Sequence, residues 1–205
     1  YNTSLGYAAG CSISSGAYNT FIGYEAGRGN SSTANSASEN IFIGNMAGCC
    51  VTTGGCNIYI GCKSGASSSQ GKCNVALGIY SGCGLTTAQD NVFIGTKAGC
   101  CQSTTGWSTL VGAQAGQKSV GQMNVAVGYG ALLGSGTPSA NTGGCNTIVG
   151  PYAGMSISSG IKNVLLGMYA GCGISTGACN VFLGNYAGDN SSLTGCRNIA
   201  IGYNV

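Results

Sequence analysis

The sequence predicts an all-β fold, a β-solenoid or β-roll of about twelve coils. Three observations lead there. A nine-residue phrase, N-x-x-[IVL]-G-x-x-[AS]-G, recurs along all 205 residues and reads most fully as Asn91-Val92-Phe93-Ile94-Gly95-Thr96-Lys97-Ala98-Gly99. Its first glycine returns at intervals of 17, 21, 17, 17, 17, 17, 16, 22, 17, 17 and 18 residues. The residues before that glycine alternate, so Val92 and Ile94 share one face of a strand. A period this short is too small for a two-helix repeat and implies one unit stacked in one dimension.

The elements follow in chain order, each an Asn, a short strand and a closing Gly. Coil one runs from Asn2 to Gly6, and coil two from Asn19 through Phe21 to Gly23. Arg28 to Glu39 lengthens the second coil. Coils three to six carry Asn40-Phe42-Gly44, Asn57-Tyr59-Gly61, Asn74-Ala76-Gly78 and Asn91-Phe93-Gly95. Coil seven departs, with Ser108 in place of Asn before Leu110 and Gly112. Coil eight holds Asn124, Ala126 and Gly128, and Leu133 to Cys145, containing Pro138, lengthens it. Asn146-Ile148-Gly150, Asn163-Leu165-Gly167, Asn180-Phe182-Gly184 and Asn198-Ala200-Gly202 complete the series. At ~4.8 Å per coil, twelve coils predict a rod of roughly 58 Å. The repeat is read as one domain, 1–205. It opens and closes inside the phrase, so a longer fibre protein is expected around it.

Each position has a physical reason. β-Branched residues favour a pleated strand. A stacked Asn bonds to its equivalent in the next coil and ties down the turn. The strand-ending Gly suits positive φ or a close backbone approach. Three residues on, the small Ala26, Ala47, Ser64, Ser81, Ala98, Ala115, Ala153, Ala170 and Ala187 suit a narrow corner. The paired residues flanking the strand centre are expected to face the core, which turns the central residue outward. That outward stripe is apolar in eleven of twelve copies. Such a stripe marks an association surface. Phe21, Phe42, Tyr59, Phe93, Leu110, Ile148, Leu165 and Phe182 are therefore the expected oligomer interface, with a threefold axis the natural closure. Packing against the chain's own far wall is the alternative.

Thirteen cysteines mark the variable arcs. Cys49, Cys83, Cys100 and Cys172 lie five residues after a repeat glycine; Cys56, Cys73 and Cys179 lie five before one. Disulfides could close single arcs, as Cys49/Cys56 and Cys172/Cys179. They could instead join neighbouring coils, as Cys56/Cys73 and Cys83/Cys100, whose ladder spacing suits a disulfide. The two schemes compete for Cys56. Disulfides would favour an extracellular destination. A zinc site is disfavoured, since the chain has no His and no C-x-x-C spacing.

The remaining inventory excludes several classes. Charged residues are 5% of the chain and scattered, with a net charge of +3, so nucleic-acid binding lacks a basic run. No apolar run reaches the ~18 residues of a membrane span. Without His there is no His-based triad or general base, and no enzyme is expected. Glu25, Glu39, Asp90 and Asp189 form no close sequence pair for glycoside hydrolysis. The Gly-rich phrases lack the Lys-Ser/Thr of a phosphate loop. No cofactor is expected.

The phrase in Asn91–Gly99, Asn180–Gly188 and especially Asn124-Val125-Ala126-Val127-Gly128 resembles the head repeats of trimeric autotransporter adhesins. The Cys-bearing arcs, such as Thr53-Gly54-Gly55-Cys56-Asn57-Ile58 and Gly99-Cys100-Cys101, resemble repetitive tail-fibre proteins of marine and cyanobacterial phages. The resemblance implies a homotrimeric fibre or appendage on a virion or cell surface. Its partners would be other fibre proteins and a host-surface glycan or protein. Trp107, on a variable arc, is an aromatic of the kind that touches sugars. An ice-binding solenoid, suggested by Thr52-Thr53, Thr86-Thr87 and Thr104-Thr105, and a carbohydrate-processing β-helix are the alternatives.

Overall fold

A computed structural model describes residues 1–30, 35–189 and 194–205. The first long arc, Arg28 to Glu39, includes residues 31–34, which lie outside the described residues. The chain is an all-β solenoid and forms two compact units, Tyr1–Gly106 and Trp107–Val205. The first unit holds six three-residue strands: β1 (Thr3–Leu5), β2 (Thr20–Ile22), β3 (Ile41–Ile43), β4 (Ile58–Ile60), β5 (Val75–Leu77) and β6 (Val92–Ile94). The second holds β7 (Thr109–Val111), β8 (Val125–Val127), β9 (Thr147–Val149), β10 (Val164–Leu166), β11 (Val181–Leu183) and β12 (Ile199–Ile201). A 3₁₀ turn, Pro138–Ala140, sits in the arc between β8 and β9.

Within each unit neighbouring strands pair in parallel and in register, one coil to the next. Ile41 lies beside Ile58, Phe42 beside Tyr59 and Ile43 beside Ile60. In the second unit Val164 lies beside Val181 and Leu165 beside Phe182. The ladder continues beyond the strands: Gly61 donates to Ile43 and Thr52 to Ser69, at 2.8 and 2.9 Å. The backbone of each coil is thus satisfied by its neighbours, which lets strands of only three residues persist.

The expected face assignment is inverted. Phe21, Phe42, Tyr59, Phe93, Leu110, Ile148, Leu165 and Phe182 are all buried inside their own coils and form the core. The flanking pairs point outward: Ile41, Ile60, Ile94, Val125, Val149 and Leu166 are each between 37% and 40% exposed. β-Branching marks strand preference, which an exposed strand face satisfies as well as a buried one.

The core is narrow and is filled across each coil. The strand centre meets the residue nine positions on, and the pairs Phe42/Val51, Tyr59/Ser68, Ala76/Leu85, Leu110/Ser119, Ile148/Ile157 and Leu165/Ile174 are all buried. Tyr59 faces the small Ser68 and Ala76 the larger Leu85, whereas Phe93 faces the buried Gln102. Where the partner is polar it is bonded: Tyr59 donates its hydroxyl to Ser68 Oγ at 3.0 Å. Rings also stack between coils, with Phe42 4.9 Å from Tyr59 at an interplanar angle of 6°. The small corner residues are buried as well. Where the corner is Ser, its hydroxyl donates across to the next strand, as Ser81 does to Phe93 O at 3.0 Å.

Candidate functional site

The side chains that hold each coil to the next and those left facing outward are separate sets. The Asn column is internal to the stack except at its ends, where Asn2 and Asn198 are exposed. Asn57 donates its backbone N–H and its side-chain Nδ2 to Asn40 Oδ1, at 3.0 and 3.1 Å, and a second Nδ2–H to Gly71 O at 2.8 Å. The same bonding links Asn2, Asn19, Asn40, Asn57, Asn74 and Asn91 in the first unit. It links Asn124, Asn146, Asn163, Asn180 and Asn198 in the second. Ser108 takes the Asn place at the start of the second unit, and its Oγ accepts the Asn124 N–H at 3.3 Å.

The repeat glycines are equally structural. At Gly44, φ is +133° and an added Cβ would fall 2.7 Å from Gly61 O; at Gly48, φ is +55° and it would strike the Phe42 ring. The first and second glycines of the phrase therefore hold the coil spacing and the ring pocket.

The Ser/Thr column on the opposite wall is also committed to the stack. Thr52 Oγ1 donates to Ser69 O at 3.0 Å, and Thr86 Oγ1 to Ser103 O at 3.0 Å. Their donors serve the coil ladder. Thr53, Thr87 and Thr104 are exposed, but Gln70 interrupts their column.

What remains is the outward strand face. In the first unit it is made by Thr3/Leu5, Thr20/Ile22, Ile41/Ile43, Ile58/Ile60, Val75/Leu77 and Val92/Ile94. Ten of these twelve residues are Ile, Val or Leu and the other two are Thr. The second unit repeats that composition with Thr109/Val111, Val125/Val127, Thr147/Val149, Val164/Leu166, Val181/Leu183 and Ile199/Ile201. No charge falls on either face.

A rim of strained residues borders the face. Among the described residues, twenty-three that are not glycine have φ between 52° and 62°. They fall in two columns on either side of the strand, five before and two after the repeat glycine, with Leu132 in addition. The leading column includes Tyr18, Glu39, Cys56, Asp90, Trp107, Met123, Lys162 and Arg197; the trailing one includes Glu25, Lys63, Tyr80, Lys97, Tyr152, Tyr169 and Tyr186. None of the twenty-three is Val, Ile or Thr. Glycine would adopt this backbone at lower cost, so the side chains themselves have value there. Several stack: Tyr152 on Tyr169 and Tyr169 on Tyr186, each with centroids 5.2 Å apart. Lys63 Nζ lies 5.6 Å over the Tyr80 ring. Trp107 is 53% exposed. The four acids lie on the rim or arcs; Glu25 pairs with Arg28 at 3.0 Å, and Glu39 accepts from Cys56 at 3.2 Å.

All thirteen cysteines are free thiols, so none of the expected disulfides, within one arc or between coils, is formed. Among the described residues no group of His, Cys, Asp and Glu is arranged to hold a metal ion, and no helix is long and apolar enough to cross a membrane.

The rim columns escaped the sequence reading, although the absence of β-branched residues at both positions was a visible signal. The nine-residue core pairing escaped it too. The outward pairs were noticed and assigned to the wrong side. No protein-family profile, curated protein or solved structure matches this chain.

Proposed function

We propose that this chain is a structural element of a fibre or surface appendage that associates side by side with further copies of itself, as a homotrimer. The observation that carries the reading is the uncharged Ile/Val/Leu strand face in each unit. Six coils at ~4.8 Å make a face about 29 Å tall, and with its bordering residues about 15–20 Å wide. That is about 500 Å² per unit, of the order of the ~800 Å² per partner that stable interfaces bury. A patch of this size is at the level of the largest apolar patch on a typical monomer, which is often a functional surface.

A second copy is the occupant that fits. The face is the same from coil to coil, so another identical ladder matches it at the same spacing. An apolar centre bordered by Tyr, Lys and Glu follows the layout of an interface core and rim. A virion or cell-surface setting, with the rim and Trp107 meeting a host-surface glycan or protein, belongs to the same reading.

Sedimentation equilibrium tests it. A particle three times the 20.1 kDa chain mass, unchanged by reductant, is expected. A monomer at micromolar concentration, with and without reductant, would overturn it.

A further inference from the structure

The cysteines are the one reactive population that the association reading leaves unused. Within it, Cys83 and Cys100 are set against each other. Each lies five residues after its repeat glycine, so they occupy the same place in adjacent coils of the first unit. Their sulfurs approach to 3.1 Å. Both are half-buried, and Gly84 N–H bonds Cys100 O at 2.9 Å, which fixes the two backbones at ladder spacing. That spacing lies within the Cα separation a disulfide accepts. Cys49 and Cys50, with sulfurs 3.9 Å apart, are sequence neighbours, whose bridge would require a strained eight-membered ring.

We propose that Cys83 and Cys100 form a thiol-exchange site, oxidised by a small-molecule disulfide such as oxidised glutathione to a covalent bridge between coils five and six. The roles divide by environment. The two thiols share a hydrogen bond in which either can donate; that bond to Cys100 lowers the Cys83 thiol and favours its thiolate, with Lys63 adding a smaller effect in the same direction. The same bond raises Cys100, which stays protonated at rest. Cys83 thiolate attacks one sulfur of the small disulfide; its S–S bond breaks and one thiolate leaves. Cys100 then loses its proton, attacks Cys83 Sγ and displaces the second thiolate. The chain loses two protons and two electrons, and the small disulfide is reduced to two thiols.

Lys97 makes the test direct. Trypsin cuts after Lys72, Lys97 and Lys118, which puts Cys83 in peptide 73–97 and Cys100 in peptide 98–118. The folded chain is treated with oxidised glutathione, alkylated, digested without reductant and mapped by mass. The two peptides are expected joined, about 2 Da lighter than their sum. The joined pair should disappear in Cys83→Ser and persist in Cys73→Ser and Cys101→Ser, the other thiols on those peptides. Its yield should fall about tenfold or more when the chain is oxidised in urea, because the fold supplies the proximity. Unjoined peptides from the folded wild type, or a joined pair that survives Cys83→Ser, would overturn the proposal. So would an equal yield in urea.

Discussion

Consider the buried pair Ala76 and Leu85, both fully enclosed. They converge on one point: a Cβ built on Gly82 would lie 2.8 Å from Leu85 Cδ1, 3.1 Å from the Phe93 ring and 3.4 Å from Ala76 Cβ. Leu85→Ala alone should cost about 2–5 kcal/mol, since backbone ladders on both sides prevent the coil from collapsing into the void. Ala76→Leu alone places a second large side chain at the same point and should cost about 1–3 kcal/mol. The double variant keeps the volume and moves it across the core, into the arrangement Leu110/Ser119 already uses, and should cost under about 1.5 kcal/mol. The cycle therefore gives a favourable coupling of about 4 kcal/mol at the middle of these ranges and at least about 1.5 kcal/mol. In a unit of this size, Leu85→Ala should lower the melting temperature by roughly 15 °C, and the double variant should recover most of it. Thermal unfolding followed by far-ultraviolet circular dichroism reads all four proteins. Additive losses would refute the pairing of strand centre with the residue nine positions on.

Three further outcomes follow from the same geometry. Asn74→Ala removes two acceptor bonds to Asn91 and strands Ala88 O, and should cost about 3 kcal/mol in urea unfolding; Asn74→Ser should cost less, since Ser108 already serves in that column. Cys56 has φ 59°, so Cys56→Val should destabilise by about 1–2 kcal/mol while Cys56→Gly is neutral or stabilising, as read by melting temperature. Burial pushes the Tyr59 hydroxyl up to about 12 from an ordinary value near 10. Its raised folded value means the contribution is fully present below pH 10 and is lost as pH rises from 10 to 12, by about 3 kcal/mol in all. Tyr59→Phe should remove that alkaline loss from a pH series of urea midpoints.

The repeat, the strand positions and the Asn column were legible because each depends on spacing alone. A period of 17 residues places Asn57 beside Asn40 whatever else the chain does. The sidedness of the strand was not legible from the strand. Three residues with Phe between Val and Ile are apolar on both faces, so alternation gives no polar side to mark solvent. The decision lies elsewhere in the coil, in residues such as Ser68 and Leu85 whose sizes complement Tyr59 and Ala76. The left-handed backbone at Cys56, Asp90 and Trp107 was hidden for a related reason: turns there are expected to be Gly or Asn, and this chain places larger side chains in them.

The most direct test of self-association puts charge on the outward face and leaves the core intact. Ile43, Ile60 and Leu77 lie on adjacent outward positions of β3, β4 and β5, so Ile43→Lys, Ile60→Lys and Leu77→Lys can be combined in one chain. Light scattering of wild type and variant, each with its circular dichroism spectrum, is the measurement. An oligomeric wild type and a folded, monomeric variant are the expected result. A variant that keeps the wild-type oligomer mass, or a wild type that is already monomeric, would contradict association through this face.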